Sequence, residues 1–183
     1  MEYTHPKRKT KVVFVQLGSP SEPTTKALRK YLRKFLGDPR VIDINPWLWK
    51  IILNCFVLPF RPQKSAKLYA RIWDGENFPL ITNTRDFTKN VSKELKKIDP
   101  EGYVEVNHAF LLSPPYVNEV YDSWEEDLKK GVGATKLLVI PMFPQYSEST
   151  IASGIDALAK ELSKRVKIPT FEVITNFHRT HAF

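Results

Sequence analysis

The sequence predicts an α/β fold: a four-stranded parallel sheet covered by helices on both faces. Three observations carry that expectation. Short apolar, β-branched runs recur four times, at residues 12–17, 103–112, 135–142 and 170–175. Segments with helical apolar spacing lie between them, and strands alternating with helices favour a parallel sheet. The chain has 183 residues, 42% of them apolar, enough for the core of one such domain.

The elements follow in order. Residues 12–17 (VVFVQL) read as a buried strand closed by Gly18 and Pro20. A helix follows Thr24, with Leu28, Tyr31, Leu32, Phe35 and Leu36 on one side, ended by Gly37 and Pro39. Residues 64–73 look helical. Residues 84–98 form a clearer helix, with Phe87, Val91, Leu95 and Ile98 in one stripe and lysines opposite. The strand at 103–112 leads to a helix at 116–130 whose acidic-then-basic order suits the helix dipole. The strand at 135–142 leads to a helix at 149–166, with Ile155, Leu158 and Leu162 inward, and 170–175 is the fourth strand. No repeat or low-complexity linker appears. Residues 1–10 are expected to be a flexible tail and 11–183 one lobe.

The net charge of +8 favours anionic partners without choosing among them. Nucleic-acid binding rests on that charge alone and is not expected. Cys55 is the single cysteine, which excludes a disulfide framework and a cysteine metal site. The N-terminus, MEYTHPKRKTK, lacks the apolar core of a signal peptide, so the cytoplasm is expected. The loop after the first strand has one glycine and no dinucleotide or Walker pattern.

In parallel sheets, ligands bind outside the carboxyl ends of the strands. The loops "LGSP" (17–20) and "PMFPQYSEST" (141–150) are therefore expected at one crevice. Their hydroxyls and amides near helix N-termini suit polar or anionic ligand atoms. Phe143 and Tyr146 suit a flat apolar body, although such loops also simply pack on helices.

Segment 46–60, PWLWKIILNCFVLPF, is mostly apolar yet only 15 residues long. A bilayer crossing needs about 20, and Lys50 and Asn54 interrupt the run. It reads as a lip lying on a membrane or over an apolar ligand, or as a buried helix of a larger assembly. Trp47 and Trp49 beside Lys50, Arg40 and Arg61 favour the interfacial reading.

The four histidines make no metal site. His5 lies in the tail and His108 in a strand. His178 and His181 would share a face if helical, but two ligands are not a site.

Five motifs carry a resemblance: LGSP, YLRKFLGDPRV (31–41), LPFRPQKSAKLYARIW (58–73), FPLITNT (78–84) and FPQYSEST (143–150). In this order they resemble the ferrochelatase family, from about residue 11 to the end. That family inserts ferrous iron into a porphyrin to make haem. The resemblance implies Rossmann-like, three-layer, chelatase-type lobes that bind no dinucleotide. A porphyrin would lie in the cleft between two such lobes, near a hydrophobic lip that touches the membrane. It implies porphyrin contacts at Leu17, Ser19, Arg61, Tyr69, Phe78, Pro79, Phe143, Tyr146, Ser147, Thr150 and Ser153. It also implies a membrane lip about residues 40–60, with Trp47, Trp49 and Ile52.

Leu17 stands where relatives place Tyr, Met or Leu facing the metal, and a leucine there can only pack. Arg61 matches an arginine that pairs with a porphyrin carboxylate, a role suited to a guanidinium. Two positions depart from the pattern: Leu111-Leu112, where many relatives have Arg-Tyr, and Ala152, where glycine is usual.

The family's catalytic histidine and its glutamate partner fall beyond residue 183, so no catalytic residue is assigned. The second lobe is expected to be absent and the chain inactive alone. Porphyrin and ferrous iron are the implied substrates, with no permanent cofactor. The implied location is cytoplasmic, peripheral at the inner membrane. The alternative is a non-catalytic, membrane-associated module that binds porphyrin or haem.

Overall fold

The structure is a computed structural model describing residues 9–131 and 133–180. His5, His181 and most of the expected tail lie outside the described residues. Thr10 does not belong to a tail, because it pairs with Val104 at the start of the sheet.

Four strands, β1 (Thr10–Gln16), β2 (Val104–Phe110), β3 (Lys136–Pro141) and β4 (Thr170–Val173), form one parallel sheet in the order β2-β1-β3-β4. Among the described residues, six α-helices connect and flank them: α1 (Thr25–Leu36), α2 (Pro46–Ile52), α3 (Leu58–Tyr69), α4 (Pro79–Ile98), α5 (Val117–Lys129) and α6 (Ser153–Leu162). The expected parallel α/β fold is therefore present.

One sheet face buries Val13, Val15, Leu137 and Val139 against Tyr121 and Trp124 of α5 and Leu158 and Leu162 of α6. The Trp124 indole N–H donates to the Ala134 carbonyl at 2.7 Å, so the large ring is buried without an orphaned donor. Lys11 is also buried among these side chains. Its ammonium lies 3.4 Å from Asp127 and 3.6 Å from Glu105, which compensates its charge.

The other face is covered differently from expectation. The Phe14 ring meets Phe87 of α4 edge-on at 5.1 Å. Phe87 and Ile98 are nevertheless exposed, while Thr84 and Thr88 are buried. Helix α4 begins at Pro79, earlier than its apolar stripe suggests. The threonine hydroxyls donate to the Leu80 and Thr84 carbonyls one turn back, so they enter the interface already satisfied.

Residues 46–69 form a nearly continuous helical arm: α2, a π-helical turn at Leu53–Val57, and α3. Helix α3 thus starts six positions before the expected residue 64. Pro62 sits inside it and cannot bond the Leu58 carbonyl. Arg29 fills that gap, with Nε donating to Leu58 O at 3.1 Å.

The last helical segment is also revised. A π-helical turn at Glu148–Ala152 precedes α6, which stops at Leu162 and leaves Val166 fully exposed.

Candidate functional site

The strand register places the loops after β1 and β3 at the same edge. Val15 lies opposite Pro141, and the Met142 N–H donates to the Val15 carbonyl at 2.8 Å. The loop after β2 joins them: the Leu111 and Leu112 N–H groups donate to the carbonyls of Gln16 and Leu17, each at 3.0 Å. Gly18 holds the crossing point at φ +92°, a conformation that side chains disfavour. A Cβ there would collide with Ser113 Oγ and stand 3.0 Å from Phe110 Cβ.

Two hollows open at this edge. The first, about 300 Å³, has an apolar wall of Leu17, Phe35, Val41, Leu111 and Leu112. Ser149 and Ser153 add hydroxyls, while Asp38, Asp156, Lys160, Glu161 and Lys164 add charge. The second, about 320 Å³, is lined by Ser19, Tyr31, Lys30, Lys34, Trp73 and Phe78, among others. Leu112 and Tyr116 line both hollows.

The carboxylates of the first hollow are already engaged. Arg40 donates to Asp156 through Nε at 2.9 Å and Nη2 at 3.3 Å, and that bond holds the Asp156 carboxyl below its usual range. Asp38 accepts the Arg40 backbone N–H at 2.8 Å. Glu161 pairs with Lys164 and Arg165. In the second hollow, Lys34 donates to the Tyr116 hydroxyl at 3.1 Å. Burial, reinforced by Tyr69, pushes the Tyr31 phenol well above its usual value.

Of the expected contacts, Leu17 and Ser153 line the first hollow, and Ser19 and Phe78 the second. Phe78 is only 2% exposed and packs edge-on against Tyr69 at 5.4 Å. Tyr69 also meets Tyr31 at 6.3 Å, which makes it a support for the wall. Pro79 opens α4 and is exposed. Phe143, Tyr146 and Ser147 sit in the rim loop and Thr150 in the π-helical turn that follows it, and none of them lines either hollow. There Ser147 and Ser149 hydroxyls lie 3.1 Å apart, and the buried Thr150 hydroxyl has no partner among the described residues. Arg61 is exposed on α3, outside both hollows.

Among the three lip residues, only Trp47 is strongly exposed, at 77%. Trp49 turns inward and its indole N–H donates to the Leu36 carbonyl at 2.7 Å, while Ile52 is half-buried. The exposed apolar set is instead Ile44, Trp47, Leu48, Ile51, Phe56 and Phe60. His178 does not lie on a helix. It and Phe177 donate backbone N–H groups to the Pro144 carbonyl, at 3.1 and 3.0 Å, beneath the rim loop. Among the described residues, no group of three or more His, Cys, Asp or Glu is arranged to hold a metal ion.

Sequence reasoning missed Phe35 and Val41 as walls and Lys160 and Lys164 as rim cations. The apolar spacing of α1 contained Phe35 and the motif at 31–41 ended on Val41, but nothing local pointed to the two lysines.

The ferrochelatase family model matches residues 9–183. A ferrochelatase of Idiomarina loihiensis is 42% identical, covering 91% of this chain and 44% of its own length. A coproporphyrin III ferrochelatase of Streptococcus mutans is 39% identical over 96% of this chain and 53% of its own length. A ferrochelatase of Marinobacter nauticus is 37% identical over 91% and 44%. The chain spans about half the length of the curated relatives it matches. On the extent of that match, carried across the sheet and both hollows, the chain belongs to the ferrochelatase family.

Proposed function

We propose that this chain binds a porphyrin at its carboxyl-edge crevice for the insertion of ferrous iron in haem biosynthesis. The single observation that supports this most is the first hollow, an apolar wall with cations at its rim. A porphyrin is flat, apolar and edged by carboxylates. Leu17, Phe35, Val41, Leu111 and Leu112 suit the macrocycle, and Lys160, which has no ion-pair partner among the described residues, suits one of its carboxylates. Arg61 would meet a second carboxylate from the arm. Ser19, Phe78, Ser153 and the rim residues Phe143, Tyr146, Ser147 and Thr150 would complete the contacts.

Metal insertion also needs a base for the pyrrole protons and a ligand to pass on the iron. Leu17 offers no lone pair, and hydroxyls are poor bases near neutral pH. Asp38, Asp156 and Glu161 are committed to cations or amides. This chain is therefore assigned porphyrin binding, and its own turnover is expected to be negligible. The same engaged carboxylates favour a second reading, a non-catalytic porphyrin- or haem-binding module.

The exposed strip from Ile44 to Phe60, with Lys50 lying 5.7 Å over the Trp47 ring, suits the interface of a membrane approached from the cytoplasm. No helix among the described residues is long and apolar enough to cross a membrane.

Fluorescence titration with a free-acid porphyrin and its fully esterified form tests the binding reading. The free acid should bind about tenfold more tightly, through charge-assisted pairs. Equal binding would remove the rim cations from the account. Measurable iron insertion by this chain would contradict the expectation of negligible turnover.

A further inference from the structure

Away from the crevice, four cations line one groove. Arg85, Lys89, Lys93 and Lys96 of α4 border a hollow of about 360 Å³ completed by Thr88, Ser92, Val106 and His108. No carboxylate among the described residues lines it. None of the four cations has an ion-pair partner among the described residues. The adjoining hollow does hold Asp99 and Glu105, but both are occupied. Asp99 accepts the Val104 N–H at 2.7 Å, and Glu105 pairs with buried Lys11.

The groove runs beside an open sheet edge, because β2 is the outermost strand. The Thr10 N–H donates to the Tyr103 carbonyl and the Leu111 N–H to the Gln16 carbonyl, so the odd-numbered residues of β2 face β1. The even-numbered residues face away. At the two ends of β2, those outward N–H groups are used, Val104 by Asp99 and Phe110 by the Pro115 carbonyl. The outward N–H groups of Val106 and His108 remain between them, facing the side that carries no strand among the described residues.

We propose that this groove docks an extended acidic segment of a partner protein, which adds to the β2 edge while its carboxylates pair with α4. Length favours that occupant over a small anion. From Arg85 to Lys96 the helix rises about 16 Å at about 1.5 Å per residue. A single phosphate would reach one or two of these cations, whereas about five extended residues span the row. The free edge N–H groups favour a peptide over a nucleic acid, since strand addition uses main-chain pairing.

The probe is a fluorescently labelled hexaglutamate peptide, titrated into the intact chain by anisotropy, with amide shifts followed by NMR. Binding should weaken with salt and shift the Val106 and His108 amides together with those of residues 85–96. The variant R85Q/K89Q/K93Q/K96Q should bind about tenfold more weakly. The control K26Q/K129Q/K130Q/K167Q, with the same loss of charge at exposed sites, should retain binding. Circular dichroism checks that both variants fold, and the wild-type amide shifts read the site without relying on either. The proposal is overturned if the peptide does not bind, if the control loses as much affinity, or if the shifts fall elsewhere. It is also overturned if an oligothymidine or an anionic vesicle binds more tightly through the same four cations.

Discussion

Arg40 and Asp156, 116 residues apart in sequence, close a two-point ion pair that ties the segment between α1 and α2 to α6 at the first hollow. Both side chains remain substantially exposed, so the pair is expected to act on local order more than on global stability. Asp156→Asn should speed hydrogen exchange at Val41 and Ile42, whose amides donate to the Asp38 carbonyl, by about fivefold or more. The thermal midpoint should shift by no more than about 2 °C. Because Arg40 lowers the Asp156 pKa from 3.8, protection is present above that value and fades as pH falls below it. Unchanged exchange at Val41 and Ile42 would show that the segment is held by other contacts.

Gly18 is the tightest point of the crevice floor. Gly18→Ala imposes a strained φ and a collision with Ser113 Oγ. It should destabilise by about 2–4 kcal/mol in urea denaturation. Adding Ser113→Ala should recover part of this loss, although it also removes the hydroxyl that accepts the Ser19 N–H. A fully additive double variant would mean that backbone conformation alone sets the cost.

The two tryptophans of the arm should separate by phenotype. Trp47→Ser should reduce retention on anionic liposomes in flotation and leave the melting temperature nearly unchanged. Trp49→Ala should do the opposite, costing about 2 kcal/mol or more through lost packing and an orphaned Leu36 carbonyl. Equal effects of both on flotation would contradict the division into an exposed strip and an inward anchor.

His108 gives a pH signature. Burial, then the charge of Arg85, lowers its pKa from 6.5. The unfolded chain therefore binds the proton more readily than the folded one. Stability from this site is present above pH 6.5 and is lost as pH falls through the lower folded value. His108→Gln should flatten the decline of the urea midpoint between about pH 7 and about pH 5. An unaltered slope would assign the decline to other groups.

The sheet was legible because each strand is a compact β-branched run between turn signals, and parallel connection follows from the alternation with helices. The face of α4 was not, because counting apolar residues overlooks threonines whose hydroxyls return to their own helix. The arm was half legible. Its apolar character is plain, but which tryptophan turns inward depends on the Leu36 carbonyl of α1, which accepts the Trp49 indole N–H and which no local pattern names. Leu17, Ser19, Phe78 and Ser153 could be found from strand-end loops and motif matches. Arg40 with Asp156 could not, since neither lies in a pattern that names the other.

The most direct test of the central claim is a porphyrin titration of the chain against its Leu17→Arg variant, read by tryptophan quenching and the shift of the Soret band. Leu17 forms part of the apolar wall, and an arginine there would put a charge against the macrocycle. Binding should saturate at one porphyrin per chain, weakened about tenfold or more by Leu17→Arg and little changed by Trp47→Ser. Binding that survives Leu17→Arg but disappears with Trp47→Ser would contradict it, by moving the porphyrin from the crevice to the exposed strip.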